Sequence, residues 1–307
     1  MTAHRIIIDT DPGIDDAAAI LLAMASPEIE ILGLVTVAGN VSLSTTTRNA
    51  LKLCELGGRL DIPVYAGADR PLTRRLETAE HIHGTTGMDG ANLPDPTKAA
   101  EIMRGVDWLI ETLRAAPARS ITLVILGPQT NIALALRRAP EIRAAIRDVV
   151  VMGGATENEG GNVTPHAEFN IYVDPEAAAE VFAALPVTLV TLDVARKVTG
   201  TEERLVRLRA NGNAPSMALA EMLGFYTGRG KGNEPMYDPL TIAWLLQPHL
   251  FEERMAGISV DTGDGDRAGQ THIDFDYPSP PHRVLMDCNA DGFFSLLTER
   301  LRKLPLE

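Results

Sequence analysis

The sequence predicts an α/β fold with a mostly parallel, Rossmann-like open sheet at its centre and helices on both faces. Three observations predict it. Short runs have consecutive apolar residues, as the three isoleucines within residues 5–9 show, a helical pattern follows nearly every run, and no linker or internal repeat interrupts the series. Strands that lack polar alternation are typical of sheets buried on both faces, and alternating strands and helices build parallel sheets. A single domain over residues 1–307 is therefore expected.

The first two thirds of the chain carry this alternation. Residues 5–9 (RIIID) and 29–37 (IEILGLVTV) are buried-type strand segments, and residues 44–56 form a helical pattern behind a cluster of Ser and Thr caps. Strands are expected at residues 5–9, 29–37, 63–66, 121–126, 149–152 and 187–192. Helices are expected at residues 17–25, 44–56, 98–115, 130–138 and 175–184.

The last third of the chain is more helical, and it closes with shorter strand-like pieces. Helices are expected at residues 201–209, 215–227, 239–246 and 291–302, and strands at residues 257–261, 271–275 and 283–287. Residues 78–96 and 155–170 are too irregular for either element. Long loops in compact domains are often functional, and ligands of parallel sheets bind at the carboxyl ends of strands.

Composition narrows the class of partner. The net charge is −13 and the pI is near 5.0, so the surface repels phosphate backbones and anionic membranes. Nucleic acid and membranes are therefore not expected as partners. Cys54 and Cys288 form no CxxC pair and indicate reduced thiols. The N-terminus leads directly into the first strand, and no apolar run approaches roughly 20 residues, so a cytoplasmic protein is expected.

Four carboxylates crowd the end of the first predicted strand. Asp9, Asp11, Asp15 and Asp16 lie within eight residues, and Pro12-Gly13 turns the chain between strand and helix. Acids held this close repel one another. A hard divalent cation bound by several oxygens removes that repulsion.

Three interpretations of this cluster compete. Helix capping accounts for Asp15 and Asp16 but leaves the two acids of the strand end unexplained. A phosphatase of the haloacid dehalogenase type would use Asp9 as nucleophile in a DxD motif and Lys197 as its lysine, but no convincing acidic pair follows that lysine. The third interpretation is a calcium site that serves a water nucleophile.

The motif DTDPGIDDA resembles the N-terminal signature of the inosine–uridine-type nucleoside hydrolases. Further matches follow in the order of that family, and they reach DGFF at 291–294, so nearly the whole chain is covered. These matches are AGN at 38–40, HG at 83–84, GMDG at 87–90, LGPQTNIA at 126–133, MGG at 152–154, GNVT at 161–164, AEFN at 167–170, DPEAA at 174–178 and DP at 238–239. Each motif is weak alone, and their common order makes the resemblance specific.

The resemblance implies hydrolysis of the N-glycosidic bond of ribonucleosides to free base and ribose, in purine or pyrimidine salvage. It implies Ca²⁺ as the cofactor. Its ligands would be Asp11, Asp16, Asp238 and the backbone carbonyl of Leu126. Asp11 would also be the general base that takes a proton from a water held by the metal. A homodimer or homotetramer is the assembly that the resemblance implies.

The resemblance also implies a set of substrate contacts. The ribose hydroxyls would be bound by Asp15, Asn40 and Asn170, the 5′-hydroxyl by Asn162 and Glu168, and the ribose pocket would include Met152. Taken alone, several of these residues have simpler explanations: a turn for Asn40 and core packing for Met152. Glu168 and Asn170 would cap the helix that begins at Asp174, although Asp174 already serves as its cap.

The chemistry of the reaction supports the same residue types independently. Cleavage of an N-glycosidic bond builds positive charge on the ribose as it becomes oxocarbenium-like. Carboxylates and amide oxygens stabilise that charge. Calcium acidifies water only modestly, so a carboxylate base beside it is needed.

The sequence departs from the family pattern at the base end of the substrate. Many members carry histidine where this chain has Tyr237, whose hydroxyl is a weak acid with an ordinary pKa of about 10. His83 is an alternative acid, or a hydrogen-bond partner that orients the leaving base. Phe225 and Tyr226 resemble an aromatic lid helix, and Gly228, Gly230 and Gly232 after them predict either a mobile lid or a plain helix end.

Two further readings of the site stay open at this point. One is a protein that binds nucleosides or ribose without cleaving them, against which an intact Asp11 argues. The other is a hydrolase that acts on a modified or atypical nucleoside, which Tyr237 suggests. The sequence leaves the base preference undecided.

Overall fold

The computed structural model describes residues 3–229 and 234–304. In this part of the chain the strands are β1 (His4–Thr10), β2 (Ile29–Thr36), β3 (Val64–Ala66), β4 (Ile121–Ile125), β5 (Ile146–Met152), β6 (Thr188–Val190), β7 (Thr199–Gly200), β8 (Glu234–Pro235), β9 (Phe251–Val260), β10 (Thr271–Asp274) and β11 (His282–Cys288). The α-helices are α1 (Ile14–Met24), α2 (Leu43–Leu56), α3 (Glu80–His83), α4 (Gly105–Ala115), α5 (Thr130–Arg138), α6 (Phe169–Val173), α7 (Pro175–Ala184), α8 (Leu192–Ala195), α9 (Glu202–Arg209), α10 (Ala214–Arg229), α11 (Pro239–Leu246) and α12 (Ala290–Leu301). Short 3₁₀ turns occupy Pro140–Ala145 and Pro248–Leu250.

The central sheet has the strand order β10-β9-β11-β6-β5-β4-β1-β2-β3. The pairs from β11 to β3 are parallel, and β9 and β10 add an antiparallel edge. From β1 the chain moves outward to β2 and β3, and then returns to place β4 on the other side of β1. The strand order therefore reverses between β1 and β4, which is where ligands of open α/β sheets bind. The predicted α/β fold class is confirmed.

Both faces of the sheet are covered, which explains why the centre of β1, Ile6–Ile8, is apolar without alternation. Ile6 and Ile8 point into the core shared with α1, α10, α11 and α12. Ile7 points into the core on the opposite face, shared with α4, α5 and α7. Because successive side chains of a strand alternate between faces, a strand buried on both sides loses its polar positions.

The helix predicted over residues 98–115 is wrong in its first part, because α4 begins only at Gly105. The Glu55 carboxylate accepts the backbone N–H groups of Thr97 (2.6 Å) and Lys98 (2.8 Å), and the N–H of Glu101 donates to the carbonyl of Val64 (2.8 Å). These bonds draw the segment along the outer edge of β3. A long-range acceptor thus overrides the local helical pattern.

Other boundaries also differ from the prediction. The strand predicted to reach residue 192 ends at Val190, because Leu192 begins α8 and its N–H donates to the carbonyl of Gly154 (3.0 Å). Strand β9 begins at Phe251, ahead of the predicted 257–261, and its early residues are exposed and polar. The irregular stretch 155–170 holds no regular element before Phe169, as expected. The stretch 78–96 was expected to be irregular throughout, and this is wrong at its start, where α3 occupies Glu80–His83. The short helices α6 and α8 were not predicted either.

Two features of the described residues concern the expected environment of the chain, namely the hydropathy of its helices and the state of its cysteines. Within residues 3–229 and 234–304, no helix combines the length and the hydropathy that a bilayer span requires. Cys54 and Cys288 are both free and buried. The single-domain organisation over residues 1–307 stays a prediction.

Candidate active site

Asp11 lies directly after β1, at the point where the strand order of the sheet reverses. Its Oδ2 accepts the backbone N–H of Asn40 at 2.7 Å, while its Oδ1 has no hydrogen-bond partner among the described residues. The carboxylate lies between Gly39 and Gly127, where a Cβ on either residue would overlap one of its oxygens. The two glycines after β2 and β4 therefore create the space that this acid occupies.

Asp15 and Asp16 stand in the first turn of α1 but differ in their bonds. Asp16 accepts the hydroxyl of Thr10 (2.5 Å) and the backbone N–H of Gly13 (2.9 Å). The helix-capping interpretation is therefore correct for Asp16. It also holds for Asp15, which lies in the same first turn and has backbone hydrogen bonds from Asp15 and Asp16, but it does not account for its buried Oδ1, which is unpaired within the described residues.

Three carboxylates form a candidate metal centre. Asp15, Asp16 and Asp238 each place a ligand oxygen within 4.8 Å of the others. Buried, unpaired Oδ1 atoms on Asp11, Asp15 and Asp238 add unused acceptors. A donor set made only of hard oxygens fits a hard cation such as Ca²⁺. The cluster contains Asp15, which the sequence analysis assigned to the ribose hydroxyls, whereas Asp11 lies beside it.

Burial sets the protonation of these four acids. It raises the pKa of Asp15 and of Asp16 to about 6. It also raises the pKa of Asp11 and of Asp238 well above the ordinary value, and repulsion from Asp16 adds to the shift of Asp11 and repulsion from Asp15 to that of Asp238. Buried like charges favour the neutral form of a carboxyl group. Full ionisation of the cluster at neutral pH therefore calls for a positive charge within it.

A cavity of about 450 Å³ opens above the carboxylates. It brings together the predicted substrate residues from both halves of the chain. Its lining includes Asp15, Asn40, His83, Leu126, Met152, Asn162, Glu168, Asn170, Tyr226, Tyr237 and Asp238. Asp11 and Asp16 lie buried behind this lining rather than in it.

Side-chain amides fix the wall of the cavity next to the acids. Asn170 donates its Nδ2 to the backbone carbonyls of Leu126 (2.7 Å) and Met152 (3.2 Å). Asn40 donates its Nδ2 to Asp16 (3.2 Å). The Leu126 carbonyl, predicted as a metal ligand, is thus already an acceptor, although a carbonyl oxygen has a second lone pair.

Glu168 combines the two roles that its sequence position suggested. It caps α6 by accepting the N–H groups of Asn170 (2.9 Å) and Ile171 (3.2 Å), and it also accepts the N–H of Gly154 (3.0 Å). Asp174 caps the following helix α7. Burial raises the pKa of Glu168 to about 7. Glu168 is therefore a helix cap, but of α6 rather than of the expected helix α7, and it lines the cavity as well.

His83 and two tyrosines form the opposite wall. The rings of His83 and Tyr226 stack with centroids 5.7 Å apart. The Nδ1 of His83 accepts the N–H of Ile14 (3.3 Å), and burial lowers the pKa of His83 to about 4. The ring is then neutral at pH 7 with its proton on Nε2, so it acts as a hydrogen-bond donor rather than as a strong acid. Burial also raises the pKa of the Tyr237 hydroxyl.

The segment predicted as a lid lies only partly within the described residues. Helix α10 includes Tyr226 and continues through Gly228 to Arg229, so the helix does not stop at the first of the three glycines. Gly230 and Gly232 lie outside the described residues.

The phosphatase interpretation finds no support in the geometry. Asp9 is buried, does not line the cavity, and accepts the side-chain N–H of Asn131 at 2.9 Å. Burial raises its pKa to about 8, which weakens it as a nucleophile. Lys197 bonds Asp287 at 2.9 Å. Repulsion from Asp16 and Asp15 raises the pKa of Asp11, whereas no such repulsion acts on Asp9, so Asp9 stands apart from the acids beside the cavity.

Sequence reasoning missed several residues of the lining. Glu77, Ile82, Phe169 and Tyr172 all contribute to it. The position of Phe169 between Glu168 and Asn170 was the one local signal available. Ile82 lies in the irregular stretch 78–96, Glu77 lies just before it, and Tyr172 lies between two motifs. In such segments the spacing of residues does not show which side chains face the cavity.

Adding a methyl group at Gly127 is expected to displace Asp11, the general base that the sequence resemblance implies, and so to lower kcat about 10²-fold, because a shift of about 1 Å in a reacting group has an effect of that size. The measurement is kcat of Gly127→Ala with a ribonucleoside, the substrate class that the same resemblance implies. Gly265→Ala is the matched control, since a Cβ there meets nothing within 4 Å. Normal turnover in Gly127→Ala would show that the position of Asp11 does not matter.

Comparisons with known proteins agree on one family. The model of "Inosine-uridine preferring nucleoside hydrolase" matches residues 6–295. The pyrimidine-specific ribonucleoside hydrolase RihA of Escherichia coli is 43% identical, over 98% of this chain and 99% of its own. A purine-preferring ribonucleoside hydrolase from Gardnerella vaginalis superposes with a TM-score of 0.91 at 32% identity, over 98% of both chains. A plant nucleoside hydrolase superposes with a TM-score of 0.90 at 33% identity, over 97% of this chain and 99% of its own.

Proposed function

The chain belongs to the family of inosine-uridine preferring nucleoside hydrolases, and on this premise we propose that it hydrolyses ribonucleosides with Asp11 as general base and Ca²⁺ as cofactor. Membership confirms the resemblance seen in the sequence and identifies the chain as an N-glycosidase. The observation that carries the proposal is the group of buried, unpaired carboxylate oxygens directly below the cavity.

Asp15, Asp16 and Asp238 are the residues that would hold the cation, with the carbonyl of Leu126 and Asp11 beside them. When bound, Ca²⁺ supplies the positive charge that lets these acids ionise together, and it orients water and the ribose hydroxyls. The all-oxygen donor set supports a hard cation over zinc or copper, which favour nitrogen and sulfur.

Asp11 is suited to take a proton from the attacking water. The N–H of Asn40 holds one of its oxygens, while the other has no partner among the described residues. The burial that raises its pKa also makes its ionised form a stronger base. No protein nucleophile is required, because water attacks the anomeric carbon directly.

The ribose lies, in this proposal, against the acids and amides of the floor. Asp15, Asn40 and Asn170 bind its 2′- and 3′-hydroxyls, and Met152 packs against the ring. The negative charge beneath the sugar stabilises the oxocarbenium-like transition state as the bond to the base lengthens. Glu168 and Asn162 bind the 5′-hydroxyl.

The leaving base receives hydrogen bonds rather than a full proton from a strong acid. His83 offers Nε2–H, and Tyr237 offers its O–H into the same cavity. Both groups stay neutral at pH 7, so each stabilises the negative charge that develops on the departing base. Tyr226 stacks on His83 and holds the ring in place.

A panel of purine and pyrimidine nucleosides assayed for free ribose tests the proposal. Relatives named pyrimidine-specific and purine-preferring are both similar to this chain, so similarity alone does not select the base. We expect ribose release from at least one ribonucleoside and none from the matching 2′-deoxynucleoside, which lacks a hydroxyl for the floor. Tight binding without ribose release would instead support a non-catalytic nucleoside-binding protein.

The assembly and the cellular setting complete the proposal. We infer a homodimer or homotetramer in the cytoplasm that takes part in nucleoside salvage. The acidic surface, with a net charge of −13, supports small neutral substrates over nucleic acid or anionic membranes as partners. Light scattering of the purified protein measures the assembly.

A further inference from the structure

The loop that carries Asn162 is held by the short helix α8. Arg196, at the C-terminal end of that helix, donates Nη1 to the backbone carbonyl of Glu159 (2.8 Å) and to its carboxylate (2.6 Å). Its Nη2 donates to the carbonyl of Gly161 (2.8 Å). A planar guanidinium binds three acceptors on two residues of one loop in this way, which an ammonium group does not reproduce.

A second contact fixes the beginning of the same loop. The carboxylate of Asp193 accepts the backbone N–H of Thr156 (2.9 Å) and its hydroxyl (2.5 Å). Helix α8 therefore binds the loop at its start and near its end with two residues of opposite charge. Leu192 of the same helix is fully buried against Met152 and Ala155, so the helix packs on the wall of the cavity. Asp193 and Arg196 together form what is called the clamp below.

The clamp acts on the peptide group next to Asn162. Arg196 binds the carbonyl of Gly161, and the N–H of Asn162 donates to the carbonyl of Ala167 (3.1 Å), so both sides of this peptide are fixed. The side-chain Oδ1 of Asn162 accepts the N–H of Phe169 (2.9 Å), which leaves its Nδ2 as a donor for the cavity that it lines. The direction of this donor thus depends on the loop.

We propose that Arg196, with Asp193, is a positioning residue that holds Asn162 toward the 5′-hydroxyl of the substrate, an inference that rests on the proposed nucleoside hydrolase activity. Most residues of the loop between Thr156 and His166 are at least partly exposed, so packing alone does not order it. Ordering a backbone segment loses conformational entropy. The contacts of Arg196 and Asp193 order this loop before substrate binds.

The test compares the best nucleoside of the panel with its 5′-deoxy analogue. We expect Arg196→Met to lower the ratio of their kcat/KM values about tenfold, the effect of about one hydrogen bond. The kcat/KM for the 5′-deoxy analogue should stay nearly unchanged, because that substrate does not use the 5′ contact. Hydrogen exchange should become faster at the amides of Gly161 and Asn162.

Three further variants sharpen the comparison. Glu159→Gln keeps both carbonyl acceptors and is expected to leave the ratio unchanged. Arg209→Met removes a comparably exposed ion pair, with Glu202 at 2.8 Å, and serves as the control. Thr156→Val removes one hydroxyl contact to Asp193 and should lower the ratio about threefold, which keeps the inference testable if Arg196→Met does not fold.

The outcomes separate this inference from the proposed function. If the wild-type enzyme hydrolyses nucleosides but Arg196→Met slows both substrates equally, or neither, the positioning role is wrong while the activity stands. If the wild-type enzyme releases no ribose from any nucleoside, the proposed function fails and the positioning role fails with it.

Discussion

Replacing Asp11 by asparagine is expected to lower kcat by about 10²–10⁴-fold, the usual contribution of a general base. Asparagine keeps the shape of the side chain and an oxygen for the N–H of Asn40, so substrate should still bind. The substitution removes one acid from a buried cluster in which the acids repel one another, so the fold should be kept. Steady-state kinetics and a thermal melt of the variant measure the two effects.

Asp9→Asn is the matched control for Asp11→Asn. Asp9 lies in the same strand segment and is equally buried, but it bonds Asn131, and no repulsion from Asp15 or Asp16 contributes to its pKa shift, in contrast to Asp11. We expect its kcat to stay within about tenfold of the wild type, far above that of the Asp11 variant. The opposite ranking, with Asp9→Asn inactive and Asp11→Asn active, would revive the nucleophilic aspartate of the phosphatase interpretation.

Removing calcium with a chelator is expected to abolish ribose release, and returning Ca²⁺ should restore it. Binding should also raise the Tm, more at pH 8 than at pH 5. Burial raises the pKa of Asp15 and Asp16 to about 6, above the pKa of these groups in the unfolded chain. The metal-free fold is therefore most stable below that unfolded-chain pKa, where both acids are protonated, and its free energy of unfolding falls as the pH rises through about 6. A cation bound to the ionised acids offsets that loss.

The size of this shift follows from mass action. Calcium at about 100 times its Kd stabilises the fold by about 2.7 kcal/mol, which raises the Tm of a protein of this size by roughly 4 °C. Asp238→Asn removes one acid of the candidate centre and should shrink the shift at pH 8, whereas Asp287→Asn, remote from the cavity, should not. Full activity in metal-stripped enzyme would contradict a required cation.

Much of the fold follows from local patterns. The apolar runs of β1, β2, β4 and β5 predicted a parallel sheet because strands covered on both faces cannot hold polar positions. The predicted helices at residues 130–138, 175–184 and 239–246 were confirmed with the same bounds. The helix over residues 98–104 failed, because Glu55 and β3 supply acceptors from far along the chain.

By itself, the sequence determined the family, the parallel sheet and the crowding of four acids after the first strand, because these depend on residue order and on side-chain period. The tertiary structure alone decided which acids act together. In the folded chain Asp9 bonds Asn131 and does not line the cavity, and Asp15 lies with Asp16 and Asp238. Arg196 binds the loop that carries Asn162. Such relations depend on which segments pack together in space, and burial and charge there shift a pKa in ways that no local pattern records.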